Sequence, residues 1–556
     1  MIKATNQQGQ ITTTLYDLLG RKVKVTDPPA NAAAAGTWTF GYDLLGESLW
    51  TVDPNGARSE STYDDLGRQI TLSTIERKPT PGVYVTKVEY DDAGRPTKTT
   101  RPTGDSSTRA YDAAGSMVKH TDGLGNATTF GYDLAGRATT TTNALGLTSE
   151  AVYDLAGRMT ENRELDANGK VLRTRKAGYD LAGNPVSTTS AEGHTLTRSF
   201  DAANRLTQLV EPVSASEQIT STFGYDATGA QTRATNGRGH STYTTYNSLG
   251  LVETVIEPPT AQHPDLKDRT WTATYDAGGN PTVTLAPGEV RVERTFDELN
   301  RLIKQTGSGA EAGTEAKTFG YDQAGRMITA NDLTFTLNDR GQLLKSSSAT
   351  AGDLNVYAYD ANKRLVQRTD GTGTSTFSWD DGDRLTQAVD PVSATTIGYS
   401  YDKANRLTGM AYGTNGVRRT YAYDDLNRLT TDSLATSSAA PIASIGYGYD
   451  LDDNMTSKTT AGTAGAGRTP TPTTGPTGSP PGPTLAGSRP TTAGTRQATA
   501  SRPGARPTPM TNATASPPVT AGPTPTPPAA PSRKRAAAWS ASPSPTPSTA
   551  WSAMTA

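Results

Sequence analysis

The sequence predicts an all-β protein: a long antiparallel sheet of β-hairpins wound into a thin-walled, spiralling strip, followed by a disordered C-terminal tail. Three observations carry that reading. A Tyr-Asp-x-x-Gly-Arg unit recurs through most of the chain, seen in Tyr132-Asp133-Leu134-Ala135-Gly136-Arg137 and again in Tyr153-Asp154-Leu155-Ala156-Gly157-Arg158. The residues before each unit alternate in period two, as in Thr128-Thr129-Phe130-Gly131-Tyr132, which is the pattern of a half-buried strand. Finally, only 33% of residues are hydrophobic, and the aromatics are mostly Tyr (23) rather than Phe (8). That is too little apolar material for a solid core, and a thin-walled sheet needs less.

Taken in order, the repeats begin at Tyr16-Asp17-Leu18-Leu19-Gly20-Arg21 and end at Tyr449-Asp450. Nineteen aromatic positions mark clear copies; seven of the intervals equal 21 residues, and Leu337-Asn338-Asp339-Arg340-Gly341 is a degenerate copy in the longest gap. A fixed period of this size signals a repeat architecture. Within a unit, the aspartate can accept hydrogen bonds from backbone two residues on and so opens a turn. Three residues later stands Gly20, Gly136 or Gly157, but Asn405 fills the same place in Tyr401-Asp402-Lys403-Ala404-Asn405-Arg406. Glycine and asparagine are the residues that best tolerate left-handed backbone, so their exchange predicts a positive φ. The following arginine starts the return strand, and a second turn such as Asn143-Ala144-Leu145-Gly146 closes the unit. Insertions fall at this second turn, over residues 76–82, 257–268 and 307–314. Adjacent hairpins should join into one sheet, and a sheet of that length must twist and coil; aromatics are expected to stack between the turns of the coil.

The chain divides into residues 1–467, the repeat segment, and 468–556, a Pro/Thr/Ala-rich tail. The tail holds 20 of the 36 prolines, eight basic residues and no acid; removing those eight leaves 45 basic against 55 acidic residues, net −10, in the repeats. An acidic body does not suggest nucleic acid. No run is long and apolar enough for a transmembrane helix, and Met1-Ile2-Lys3-Ala4-Thr5 lacks the apolar stretch of a signal peptide. With no cysteine, disulfides and thiol chemistry are excluded.

The units at Tyr132–Arg137 and their kin resemble the YD repeats of the RHS family, which also includes the teneurin shells and the B and C components of Tc toxins. The resemblance covers about residues 11–460 and implies a hollow β-shell. In bacterial members such a shell encloses a toxic C-terminal polypeptide and delivers it to other cells. It therefore implies a structural, secreted or cell-surface-associated shell fragment, with its own C-terminal toxin as cargo or a secretion apparatus as partner. The family's core segment with its autoproteolytic aspartate is not found here, so no catalytic residue is carried over. The alternative is an adhesion repeat protein binding carbohydrate through exposed aromatics.

The tail reads as a disordered linker or as an out-of-frame translation of further repeats. Met510 and Met554 are each followed by Thr, and ATG-ACN preceded by T reads Tyr-Asp in the next frame. Codons at Pro472 and Ala493 can likewise restore a Tyr-Asp or Trp-Asp unit in that frame. The nucleotide sequence is expected to show these units; their absence would sink the frameshift.

No catalytic, cofactor-binding or metal site is expected. His120, His194, His240 and His263 lie in different units without metal-type spacing. The acidic runs at Trp379–Asp383 and Asp450–Asp453 lack the remainder of a calcium loop. Asp133 and Arg137 recur as a pair in most units, which reads as turn electrostatics rather than acid–base chemistry. The signature residues are thus structural: Tyr16, Asp17, Gly20, Arg21, Tyr132, Asp133, Gly136, Arg137, Tyr153, Asp154, Gly157, Arg158, Tyr401, Asp402, Asn405 and Arg406.

Overall fold

A computed structural model describes residues 1–463 except 31–34, 215, 310–314 and 350–353, together with the backbone of 467–470. The tail from residue 471 on, with the linker and frameshift readings attached to it, lies outside the described residues. Forty-two strands run from Ile2–Thr5 to Gly467–Pro470, and each pairs antiparallel with its neighbours in the chain. Among the described residues there is no α-helix, only a 3-10 turn at Leu266–Asp268, and no helix is long and apolar enough to cross a membrane.

One unit shows how the sequence builds this. Strand Ala127–Tyr132 pairs with Ala138–Thr142, with Phe130 opposite Thr141 and a register slip between Gly131 and Tyr132. The slip accommodates a three-residue loop, a type I turn closed by one left-handed residue. The Gly136 N–H donates to the Asp133 carbonyl at 2.9 Å, and the Asp133 N–H to the Arg137 carbonyl at 3.0 Å. Backbone at that fourth position is left-handed whichever residue fills it, with φ of 76° at Gly136 and 65° at Asn405. The second turns repeat the chemistry: the Asn143 side-chain oxygen accepts from the N–H groups of Leu145 (2.9 Å) and Leu147 (3.1 Å).

The strip of strands therefore has two rims. The Tyr-Asp turns form the upper rim and the inter-unit turns form the lower. The strip coils until its rims meet. The turn between the first and second strands touches the turn between the twenty-fourth and twenty-fifth, where the Gln8 amide donates to Asp276 at 3.0 Å, 23 strands on. The same 23-strand offset brings Ser190 to Asp452 at 2.5 Å. An odd offset is required, because successive turns alternate between rims. At about 4.8 Å per strand one coil measures roughly 110 Å round, a tube about 35 Å across. The wall is thin: among the described residues only Ala30, Val255 and Ala273 are buried apolar residues.

Candidate functional site: the Asp–Arg–Tyr ladder and the seam

Along the strip, each signature residue serves its own turn and the next unit. Asp133 Oδ1 accepts from the backbone N–H of Ala135 (2.9 Å) and Arg137 (3.0 Å), while Oδ2 accepts from Arg137 Nε at 2.6 Å. The far end of the guanidinium reaches forward: Arg137 Nη1 donates to the Asp154 carbonyl at 3.2 Å, and the guanidinium carbon lies 4.7 Å from the centre of the Tyr153 ring. The Tyr153 hydroxyl reaches back to the Ala138 carbonyl at 2.8 Å. Asp154, Gly157 (φ 81°) and Arg158 repeat the arrangement onto Tyr179, with Arg158 4.8 Å from that ring. Arg21, paired with Asp17 at 2.7 Å beside Gly20, covers Tyr42 at 5.1 Å. Arg406, paired with Asp402 at 2.6 Å, covers Tyr423 at 4.8 Å. Tyr132 and Tyr401 donate to the carbonyls of Met117 and Leu385, both at 2.9 Å. Tyr16, in the first unit, is more than one-third exposed.

Each element of the ladder is weak alone. An exposed ion pair stabilises by about 0–1 kcal/mol, a cation–π contact by about 0.5–1 and a hydroxyl hydrogen bond by about 0.5–1.5. Repetition makes the sum. Where Trp379 replaces tyrosine, its indole N–H donates to the Leu365 carbonyl at 2.8 Å in place of the hydroxyl, whereas Phe200 and Phe296 keep only the ring. These tyrosines pack between neighbouring units of the strip. The expected stacking of aromatics between coils is corrected here, because the contacts between coils are made mostly by polar turns, with Tyr84 lying under Arg340.

Those turns form the seam. Tips of the second coil's upper rim sit against the first coil's lower rim. Glu76 Oε2 accepts from Arg340 Nε at 2.6 Å and from Asn338 Nδ2 at 3.2 Å, and Oε1 accepts from the Asp339 N–H at 3.1 Å. The Glu76 and Arg340 side chains are only 2% and 3% exposed, and Arg340 stacks on Tyr84 at 3.8 Å. Beside them Arg77 forks onto Asp339, with 2.7 Å and 2.9 Å contacts. Farther along, Arg101 binds Asp383, and Arg173 binds Asp453 at 2.7 Å. His194 stands 3.2 Å from Asp452. At Gly123 the coils approach so closely that a Cβ would stand 2.3 Å from the Asp381 carbonyl oxygen. Gly123→Ala is expected to cost about 1–3 kcal/mol through this overpacking, read from the denaturant midpoint.

The two acidic runs discounted as calcium loops are thus seam teeth, with Asp383 and Asp453 each held by an arginine more than 270 residues away. Sequence reasoning missed Glu76, Arg77, Arg101 and Arg173, which lie on the lower rim or in a strand beside it. A signal was present. Tip residues are more often charged or polar after about residue 276, and the left-handed position, Gly in every earlier turn but that of Asn204, is Asn, Lys or Asp in six of the nine later ones.

Acid should loosen both ladder and seam. Hydrogen bonds from the Arg137 backbone, with its side chain, hold the Asp133 carboxyl below the usual range, as the arginines at 21 and 158 do for Asp17 and Asp154. The Arg77 guanidinium does the same to Asp339; at Asp452, burial works the other way but is outweighed by hydrogen bonds from Ser190 and His194. A carboxylate with a depressed native pKa stabilises the fold above its unfolded value of about 4 and loses that contribution as pH falls through the native value. The melting temperature is therefore expected to hold between about pH 7 and 5 and to fall below about 4. A flat profile down to acid would refute this.

Comparison with known proteins agrees with this geometry. Residues 179–416 match the teneurin YD-shell family, and residues 90–127 and 111–149 match the RHS repeat. A coiled strip of Tyr-Asp hairpins is the class of structure so defined. Residues 90–149 and 179–416 thus match the RHS and YD-shell repeats. Among solved structures, it is similar to the TcdB2-TccC3-Cdc42 crystal structure, with 16% identity and a TM-score of 0.59 over 82% of this chain and 27% of the other. The TcdB2-TccC3 crystal structure without the hypervariable C-terminal region gives 16% identity and a TM-score of 0.57, covering 82% of this chain and 28% of that one. The Photorhabdus luminescens Tc holotoxin pore gives 16% and 0.57, covering 83% and 27%. At such identities the likeness is one of fold, and this chain spans little more than a quarter of the length of those proteins. No curated protein matches it in sequence.

Proposed function

We propose that this chain is part of the wall of an encapsulating RHS-type toxin shell, secreted or held at a cell surface, with a polypeptide cargo as its partner. The observation that carries the reading is the seam: a strip that closes rim to rim after 23 strands makes a wall around a space. The family matches and the fold likeness to Tc structures support a structural rather than a catalytic role. The ladder supports it too, because Tyr132, Tyr153 and Tyr401 commit their hydroxyls to main-chain carbonyls, and the rings of Tyr153 and Tyr401 lie against arginines. Electron microscopy of the purified chain is expected to show rings or short tubes with a central cavity. Open ribbons or filled particles would overturn the proposal.

A further inference from the structure

Along the seam the coils meet tooth by tooth, and side chains close most of the meetings. At the turn Asp122–Asn126 the coils touch at Gly123 and Asp381, and Arg101 donates to the Asp381 carbonyl at 3.2 Å. At Ser190–His194 the serine hydroxyl and the histidine ring hold Asp452, while Glu192 accepts from the Leu451 N–H at 2.7 Å. Two teeth between these are different. The 23-strand offset sets the turn at residues 143–147 against that at 402–406, and 166–170 against 424–428. At neither does a hydrogen bond or ion pair join the coils among the described residues, although closed teeth stand on both sides. A cavity of about 320 Å³ occupies this stretch, lined by His120, Asn126 and Asn143 from the first coil and by Lys403, Asn405 and Asn427 from the second.

The hydrogen bonding of that lining is one-sided. Asn143 Oδ1 accepts from the N–H groups of Leu145 and Leu147, Asn405 Oδ1 from Arg384 Nη1 at 3.0 Å, and Asn427 Oδ1 from Arg406 Nη1 at 3.1 Å. With each oxygen fixed on a donor, the amide nitrogen is the group left over, and none of the three nitrogens has a partner among the described residues. Neither the Lys403 ammonium nor the His120 ring meets a carboxylate there. Arg109, directly across the sheet from His120, donates to Thr99 Oγ1 at 3.1 Å and to no carboxylate among the described residues. The carboxylate in the lining, Asp122, serves its own turn: Oδ1 accepts from the N–H groups of Leu124 (3.0 Å) and Asn126 (2.8 Å), and Oδ2 from Asn126 Nδ2 at 3.2 Å. The cavity thus presents unused donors and an excess of positive charge.

We propose that this cavity binds a phosphate group, which joins the two coils where no protein contact does. Donors approach from both coils, and a tetrahedral oxyanion offers acceptor oxygens in every direction, whereas a carboxylate offers two oxygens in one plane. The space far exceeds the roughly 30 Å³ share of one water, and it has room for a diphosphate or a small phosphate ester. The inference rests on the seam and not on the shell reading: a wall whose seam binds no anion is still a wall.

Isothermal titration of the full chain with sodium phosphate, in a buffer free of other oxyanions, tests it. The wild type is expected to bind saturably, one phosphate per chain, and its melting temperature to rise with phosphate concentration, as a ligand of the native state requires. Tighter binding of pyrophosphate or a hexose phosphate would support the proposal and show that the group is carried on a larger molecule. Lys403→Gln should weaken binding about tenfold or more, the loss of one charge-assisted hydrogen bond. Asn143→Asp should abolish it. The new carboxylate still accepts from its turn, as Asp122 and Asp166 do in theirs, but it puts a negative charge where a donor stood. Both variants should melt like the wild type without phosphate, and Lys119→Gln, on the other face of the strand that carries His120, should bind normally. Absence of saturable binding would overturn the inference, as would binding untouched by Asn143→Asp or acetate bound as tightly as phosphate. Central cavities seen by microscopy in a protein that binds no phosphate would leave the shell proposal standing and remove this one.

Discussion

Glu76→Ala is expected to cost about 3–5 kcal/mol, the usual penalty for leaving one member of a buried ion pair without its partner. Arg340 would remain 3% exposed, facing the space left by the carboxylate, and the Asp339 N–H and Asn338 amide would lose an acceptor. The loss should be larger than for any single exposed ladder pair, which contributes about 1 kcal/mol or less. Chemical denaturation checks the magnitude, and hydrogen exchange checks the place. Protection should fall around residues 76–84 and 338–342 together, although they lie some 260 residues apart in sequence. Faster exchange confined to one of the two segments would mean that the seam does not couple the coils.

The second large effect is expected at Asp297. Its side chain is 1% exposed, against 24% for Asp133, while the turn chemistry is the same: Oδ1 accepts from the N–H groups of Leu299 (3.0 Å) and Arg301 (2.9 Å), and Oδ2 from Arg301. Asp297→Ala should therefore cost about 3 kcal/mol, because buried donors are left unsatisfied beside a half-buried guanidinium. Asp133→Ala should cost distinctly less, water replacing much of what is lost. Equal costs at the two positions would show that burial does not set the energetics of the turn.

This contrast explains what could and could not be read in advance. The hairpin was legible because its determinants are local. Alternation before Tyr132 marks the strand, Asp133 marks the turn, and the exchange of Gly136 for Asn405 marks the left-handed residue; none needs knowledge of distant chain. The pairing of Asp133 with Arg137 was legible for the same reason. The forward reach of Arg137 to Tyr153 was not, since it depends on which face of the strip the guanidinium takes. Glu76 was opaque altogether. In sequence it opens an ordinary insertion, and only the number of strands per coil decides that it faces Arg340 instead of solvent.

The odd offset of 23 strands has a consequence for how such a chain can change. As strands, the units are interchangeable, and removing one hairpin would leave a sheet with intact ladders on both sides of the cut. As addresses they are not. Every unit beyond the cut would slide one tooth along the opposite rim, setting Arg340 against the wrong turn and Asp453 away from Arg173. Losing a single strand would be worse, for it would bring like rims together. Length variation is tolerated where it leaves the count of teeth alone, and the insertions after Glu76 and Glu257 do so: they lengthen a tooth without adding one.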